Sequence, residues 1–204
     1  PDNLNSLNGN SISAILEDKE SCIWLSTDEG GLNKFNPATK IFTRYKHYPN
    51  DVNSISSDVI SSLLEDKNGN IWVGTDGDGI CKYDKKSDRF IRYQVNTNDT
   101  NNLIVNQISV MLDDKYEELW IGSFGGGGLI KFNTTKNLFT KINYNPDDSV
   151  GNTTTGIYSL YEDEKGIIWI GTYGSGLFAY DKLSDKSIPY YNIPNDKNSL
   201  SDNN

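Results

Sequence analysis

Tryptophan stands at positions 24, 72, 120 and 169, at intervals of 48, 48 and 49 residues, and its surroundings repeat with it. The four passages read CIWLSTDEGGLNKF, NIWVGTDGDGICKY, ELWIGSFGGGGLIKF and IIWIGTYGSGLFAY. Six residues before Trp24, Trp72, Trp120 and Trp169 stand Asp18, Asp66, Asp114 and Asp163. Each aspartate follows an apolar segment: ISAIL, VISSLL, ISVML or IYSLY. After each glycine turn come Phe35, Tyr83, Phe132 and Tyr180, and then a last segment, KIFTRY, DRFIRY, NLFTKI or KSIPYY. A period of this length fixes the fold class before any single residue is weighed.

Each unit reads as four short strands. The segments are brief, rich in Ile, Val, Tyr, Phe and Thr, and bounded by Gly, Asn or Asp. No segment holds apolar spacing at 3.6 residues long enough for a helix. Four strands per repeat give an all-β fold, a β-propeller of four-stranded antiparallel blades. The blades run over about 5–52, 53–100, 101–151 and 152–197, opening at Asn5, Asn53, Asn101 and Asn152, and residues 198–204 begin a fifth repeat. The third unit carries one extra residue in its glycine turn, at 125–128. Four blades without a latching strand are expected to be a segment of a larger ring, to complete one as a homodimer, or to close alone as a small ring. The sole methionine is Met111, so a chain starting at Pro1 is expected to be a processed or excised segment.

Charge narrows the partners. With 19 Lys and Arg against 28 Asp and Glu the net charge is −9, which disfavours nucleic acid and anionic membranes. No apolar run reaches the roughly 20 residues of a membrane helix, so none is expected within this chain. Cys22 and Cys81 have no metal spacing; a bridge between them and two free packed thiols both remain open.

The recurrent string of Asp, a turn, [IL]-W-[LVI]-[SG]-[TS] and then Gly-Leu resembles the two-component regulator propeller repeat, over essentially the whole chain. That resemblance implies an extracytoplasmic sensor region, periplasmic or at the cell surface, of a membrane-anchored histidine kinase or hybrid two-component system. It also implies a kinase module elsewhere in the parent protein and polysaccharide fragments as a ligand class. Ligand binding would then shift the population of dimer arrangements that the kinase feels.

The tryptophan row is expected to pack between blades, and the aspartate row to end strand one and cap the following turn. DKNGN at Asp66 resembles the start of a calcium loop but has its glycine at the fourth position and no glutamate at the twelfth, so no metal is expected. The glycine run at 125–128 lacks the Lys-Ser or Lys-Thr of a phosphate loop. His47 is the only histidine, read as a surface residue, with Val95, Tyr144 and Ile193 as its counterparts. Sequons begin at Asn98, Asn133 and Asn152. No cofactor is expected, and without a convergent acid–base pair neither is catalysis, although the streptogramin lyases are also propellers.

One position differs in every repeat. After the strand-two Thr or Ser stand Asp28, Asp76, Phe124 and Tyr173. Two carboxylates and two rings on the face of the glycine turns suit a carbohydrate or other small ligand, and these four are the candidate binding residues. The competing expectation is a propeller platform for protein interaction or self-assembly.

Overall fold

The computed structural model describes residues 6–28, 30–93, 107–124, 127–145 and 156–203. The proposed openings Asn5, Asn101 and Asn152, the sequon at Asn98, and Gly125 and Gly126 lie outside these residues. Among the described residues sixteen strands form four antiparallel sheets, each with its strands in chain order. The first sheet holds β1 (Ile12–Glu17), β2 (Ile23–Thr27), β3 (Gly31–Asn36) and β4 (Ile41–Tyr45). The second holds β5 (Ile60–Glu65), β6 (Ile71–Thr75), β7 (Ile80–Asp84) and β8 (Arg89–Tyr93). The third holds β9 (Ile108–Asp113), β10 (Glu118–Ser123), β11 (Leu129–Asn133) and β12 (Leu138–Ile142). The fourth holds β13 (Ile157–Glu162), β14 (Ile167–Thr172), β15 (Leu177–Asp181) and β16 (Lys186–Tyr190). These are propeller blades, four strands to each repeat. No helix among the described residues is long and apolar enough to cross a membrane.

Strand four begins one residue later than the sequence predicts in three blades. Lys40, Asp88 and Asn137 have φ of 58°, 55° and 51°, so they close the preceding turn instead of opening the strand. Asp185 does the same in the fourth blade, at φ 53°. Pro189 is tolerated within β16 because that strand is outermost in its sheet.

Two compact units divide the chain, Pro1–Ile108 and Ser109–Asn204. In the first, a buried cluster joins Trp24 and Leu32 of one blade to Ile60, Ile71, Val73, Cys81 and Tyr83 of the next. Trp24 meets Tyr83 edge-on at 4.9 Å and stacks on Tyr45 at 5.9 Å. The second unit repeats this arrangement with Trp120 and Leu129 against Ile157, Ile168, Ile170, Phe178 and Tyr180. Burying side chains of this size contributes roughly 1.5–3 kcal/mol each, so each junction is a small core of its own. Cys22 and Cys81 are both buried free thiols. Cys81 Sγ lies 3.2 Å from Ser56 Oγ, and burial pushes its pKa up.

Candidate ligand face

The aspartate row is consumed by its own blades. In every blade the carboxylate Oδ2 accepts the tryptophan indole N–H, at 2.7, 2.8, 2.9 and 3.0 Å in chain order. Oδ1 accepts backbone N–H groups of the turn: Glu20 and Cys22, Asn70, Tyr116 and Glu118, Lys165 and Ile167. These bonds occupy the lone pairs a cation would need. Among the described residues no cluster of three or more His, Cys, Asp or Glu side chains could hold a metal ion. His47 is half-buried rather than a free surface group, and its Nδ1 lies 2.9 Å from the Ile55 carbonyl oxygen. Its counterpart in the fourth blade is Asn192, one residue before the predicted Ile193. The two backbone N–H groups donate alike, His47 to Asp58 Oδ1 and Asn192 to Asn203 Oδ1.

The variable position is held by a fixed backbone. The buried hydroxyls of Thr75, Ser123 and Thr172 donate to the carbonyls of Gly79, Gly128 and Gly176, at 2.9, 3.2 and 2.7 Å, clamping the turn that follows strand two. Gly31, Gly79, Gly128 and Gly176 close that turn with φ between 70° and 79°. A Cβ on Gly176 would stand 2.4 Å from the Tyr190 carbonyl oxygen, so only glycine fits. The backbone N–H groups of Asp28, Asp76 and Tyr173 donate to Ser11, Val59 and Gly156, the residues just before strand one. Each side chain therefore leaves from the same anchored point, whatever its chemistry.

The four candidate residues fall into two settings. Asp28 and Asp76 lie exposed in the first unit, and Asp76 Oδ1 accepts the Gln107 side-chain amide at 3.2 Å. Phe124 and Tyr173, in the second unit, are linked through a ring that sequence reasoning missed. Tyr158 meets Phe124 edge-on at 4.9 Å and Tyr173 at 5.7 Å, and both tyrosines are exposed. Gly156 gives Phe124 its room: a Cβ there would stand 2.5 Å from the ring. Tyr158 sits at a register shift between Ile157 and Ser159, a bulge that re-aims its side chain. The signal was in the sequence, since the same position holds Ser13, Ser61 and Ser109 in the other blades. Beside the rings lies an open cavity of about 600 Å³, lined also by Ser159, Thr172, Leu177, Leu200 and Asp202.

The family model described as "Two component regulator propeller" matches residues 6–29, 54–77 and 153–174. Three of the four blades carry the two-component regulator propeller repeat. Its matched stretches run from the segment before strand one to the variable position of the first, second and fourth blades, so the family repeat contains the carboxylate–indole pair. A search of curated proteins found no match. Among solved structures, the extracellular domain of the hybrid two component system BT3049 from B. thetaiotaomicron is 24% identical with a TM-score of 0.76, covering 96% of this chain and 26% of that one. The extracellular domain of the hybrid two component system BT4673 from the same organism is 25% identical with a TM-score of 0.68, covering 93% of this chain and 25% of that one. Virginiamycin B lyase from Staphylococcus aureus shares the fold at 13% identity and a TM-score of 0.67, covering 94% of this chain and 58% of that one. The chain spans about a quarter of the length of the two extracellular domains.

Proposed function

We propose that this chain is a non-catalytic, ligand-sensing segment of the extracytoplasmic part of a two-component-type regulator, and that it binds neutral oligosaccharide. The observation that carries the reading is the array of Phe124, Tyr158 and Tyr173 beside an open cavity with hydroxyl and carboxylate groups. Exposed tyrosine rings offer flat apolar faces to sugar C–H groups, while Ser159, Thr172 and Asp202 offer hydrogen-bond partners to hydroxyls. The net charge of −9 disfavours sulfated or uronate-rich chains. The family repeat and the likeness to extracellular domains of hybrid two component systems support placement outside the cytoplasm, upstream of a kinase in the parent protein. The lyase likeness supports the fold only; the single histidine is engaged with the Ile55 carbonyl, which favours binding over turnover.

Titration calorimetry against a panel of neutral plant and microbial oligosaccharides tests this. One class is expected to bind, and Tyr158→Ala and Tyr173→Ala are each expected to weaken it by about 1–2 kcal/mol, roughly five- to thirty-fold. Affinity unchanged in both variants would remove the array from the site, and turnover of a bound sugar would overturn the non-catalytic reading.

A further inference from the structure

The repeats are most alike two blades apart. The turns between strands three and four read DKKSD at 84–88 and DKLSD at 181–185, whereas the other two read NPATK at 36–40 and NTTKN at 133–137. In the second and fourth blades this turn is tied in the same way. Ser87 Oγ donates to Asp84 Oδ2 at 2.6 Å, and Ser184 Oγ to Asp181 Oδ2 at 2.7 Å. The hydroxyls of Tyr83 and Tyr180 donate to Asp88 and Asp185 at 2.7 and 2.6 Å. Lys85 and Lys182 therefore leave the backbone at equivalent points, within reach of the aspartate-capped turn of the blade before.

Their acceptors are equivalent too. Glu65 and Glu162 each accept a backbone N–H on Oε2, from Lys19 at 2.9 Å and from Lys115 at 2.8 Å. Asp18 and Asp114 each accept an indole N–H on Oδ2. In the second unit Lys182 Nζ fills the gap between the two carboxylates, 2.6 Å from Asp114 Oδ2 and 2.7 Å from Glu162 Oε1, with 10% of its side chain exposed. In the first unit the gap holds no such partner: Glu65 Oε1 is buried without a hydrogen bond. Lys85 pairs instead with Glu20 Oε1 at 3.2 Å, where the two side chains are 36% and 58% exposed. An open cavity of about 500 Å³ is bordered by Glu20, Glu65 and Lys85, so both positions lie along one space.

Two differences between the units account for the two placements. Tyr116 stands where the first unit has Glu20, so Lys182 meets a ring at 4.8 Å and no outer carboxylate. Glu118 holds Lys131 at 3.3 Å, but Cys22 takes its place in the first unit, and the counterpart Lys34 lies over Trp24 at 5.0 Å. Glu20 thus draws Lys85 outward while Lys34 adds positive charge beside the gap. The opposing terms are close in size. An exposed ion pair contributes little in water, and a buried carboxylate oxygen without a donor is costly.

We propose that Lys85 is a latch with two positions: it rests on Glu20, and it enters the gap between Asp18 and Glu65 when the outer pair is weakened. In the inner position it ties the first blade to the second as Lys182 ties the third to the fourth. The latch goes beyond the ligand reading and shares no residue with the aromatic array. Ionic strength sets its position. Salt shortens the screening length to about 3 Å at 1 M and weakens the exposed pair, while the buried position is screened far less. The first unit therefore tightens as salt rises, and the second, whose latch is already closed, does not.

Heteronuclear NMR of the lysine ammonium groups in the whole chain tests this, because an ammonium gives a sharp N–H signal only when shielded from exchange with water. At low salt the signal of Lys182 is expected, identified by its loss in Lys182→Met, and that of Lys85 is expected to be absent or faint. At about 1 M salt the Lys85 signal should rise at least about five-fold, and Lys85→Met or Glu65→Gln should erase it. Glu20→Tyr, which copies the second unit, should bring up the same signal at low salt. It should also raise the melting temperature by about 2–5 °C, a gain that Lys85→Met removes. A Lys85 signal as strong as that of Lys182 at low salt in the unmodified chain would overturn the proposal. So would no new signal at high salt, or one erased by Lys34→Met and left intact by Lys85→Met.

Discussion

At the scale of single residues, the carboxylate–indole pair has an energetic consequence. Asp66 receives the Trp72 indole, the Asn70 backbone and the Asn70 side chain in a buried setting, so its removal leaves several donors without an acceptor. Asp66→Ala should cost roughly 2–4 kcal/mol in urea unfolding and Trp72→Phe less, with a double-mutant cycle showing coupling of about 1–3 kcal/mol. Asp114 adds a charge to the same motif. Burial disfavours its ionised form, but hydrogen bonds from Lys182, Trp120 and two backbone N–H groups outweigh this and hold its pKa below the usual carboxylate range. Lys182 Nζ lies 2.6 Å from it and 2.7 Å from Glu162. A depressed carboxylate pKa stabilises the fold above the unfolded value, and that contribution is lost as pH falls through the folded one. Asp114→Asn should therefore lose about 1–3 kcal/mol at pH 7, with the gap to wild type closing below about pH 4 in denaturant titrations.

At the scale of elements, the turn after strand two decides what the candidate face can present. Thr172→Ser should be nearly neutral, because Ser123 already serves as the clamp in the third blade; Thr172→Val should cost about 1 kcal/mol in thermal unfolding. The strands were legible because period, β-branched composition and turn residues all agree in each repeat. Strand-four starts were misplaced by one residue because Lys40, Asp88 and Asn137 adopt positive φ, which composition does not announce. At the face, Phe124 and Tyr173 stood out because they break the repeat. Tyr158 is not legible from the loop position, because this ring reaches the face from a bulge in a strand. The indole bond was also missed, although a constant six-residue interval from Asp to Trp was there to be explained. Hydrogen-bond partners across a hairpin are set by register, which a spacing alone does not state.

At the scale of the whole molecule, near-identical junctions make stability a sum of local terms. Ile60→Ala and Ile157→Ala remove equivalent side chains from the two clusters, and each should cost about 2–4 kcal/mol by calorimetry. Unequal losses would show that the repeats, alike in sequence, are not alike in packing. The fourth tryptophan breaks that equivalence. Trp24, Trp72 and Trp120 are almost fully buried, whereas Trp169 is half-buried, with Tyr190 of its own sheet 5.8 Å away. The molecule thereby contains an optical probe of its fourth blade. Acrylamide should quench one indole in four, and the quenchable fraction should vanish whenever that ring is covered, so emission alone can report its surroundings without a label.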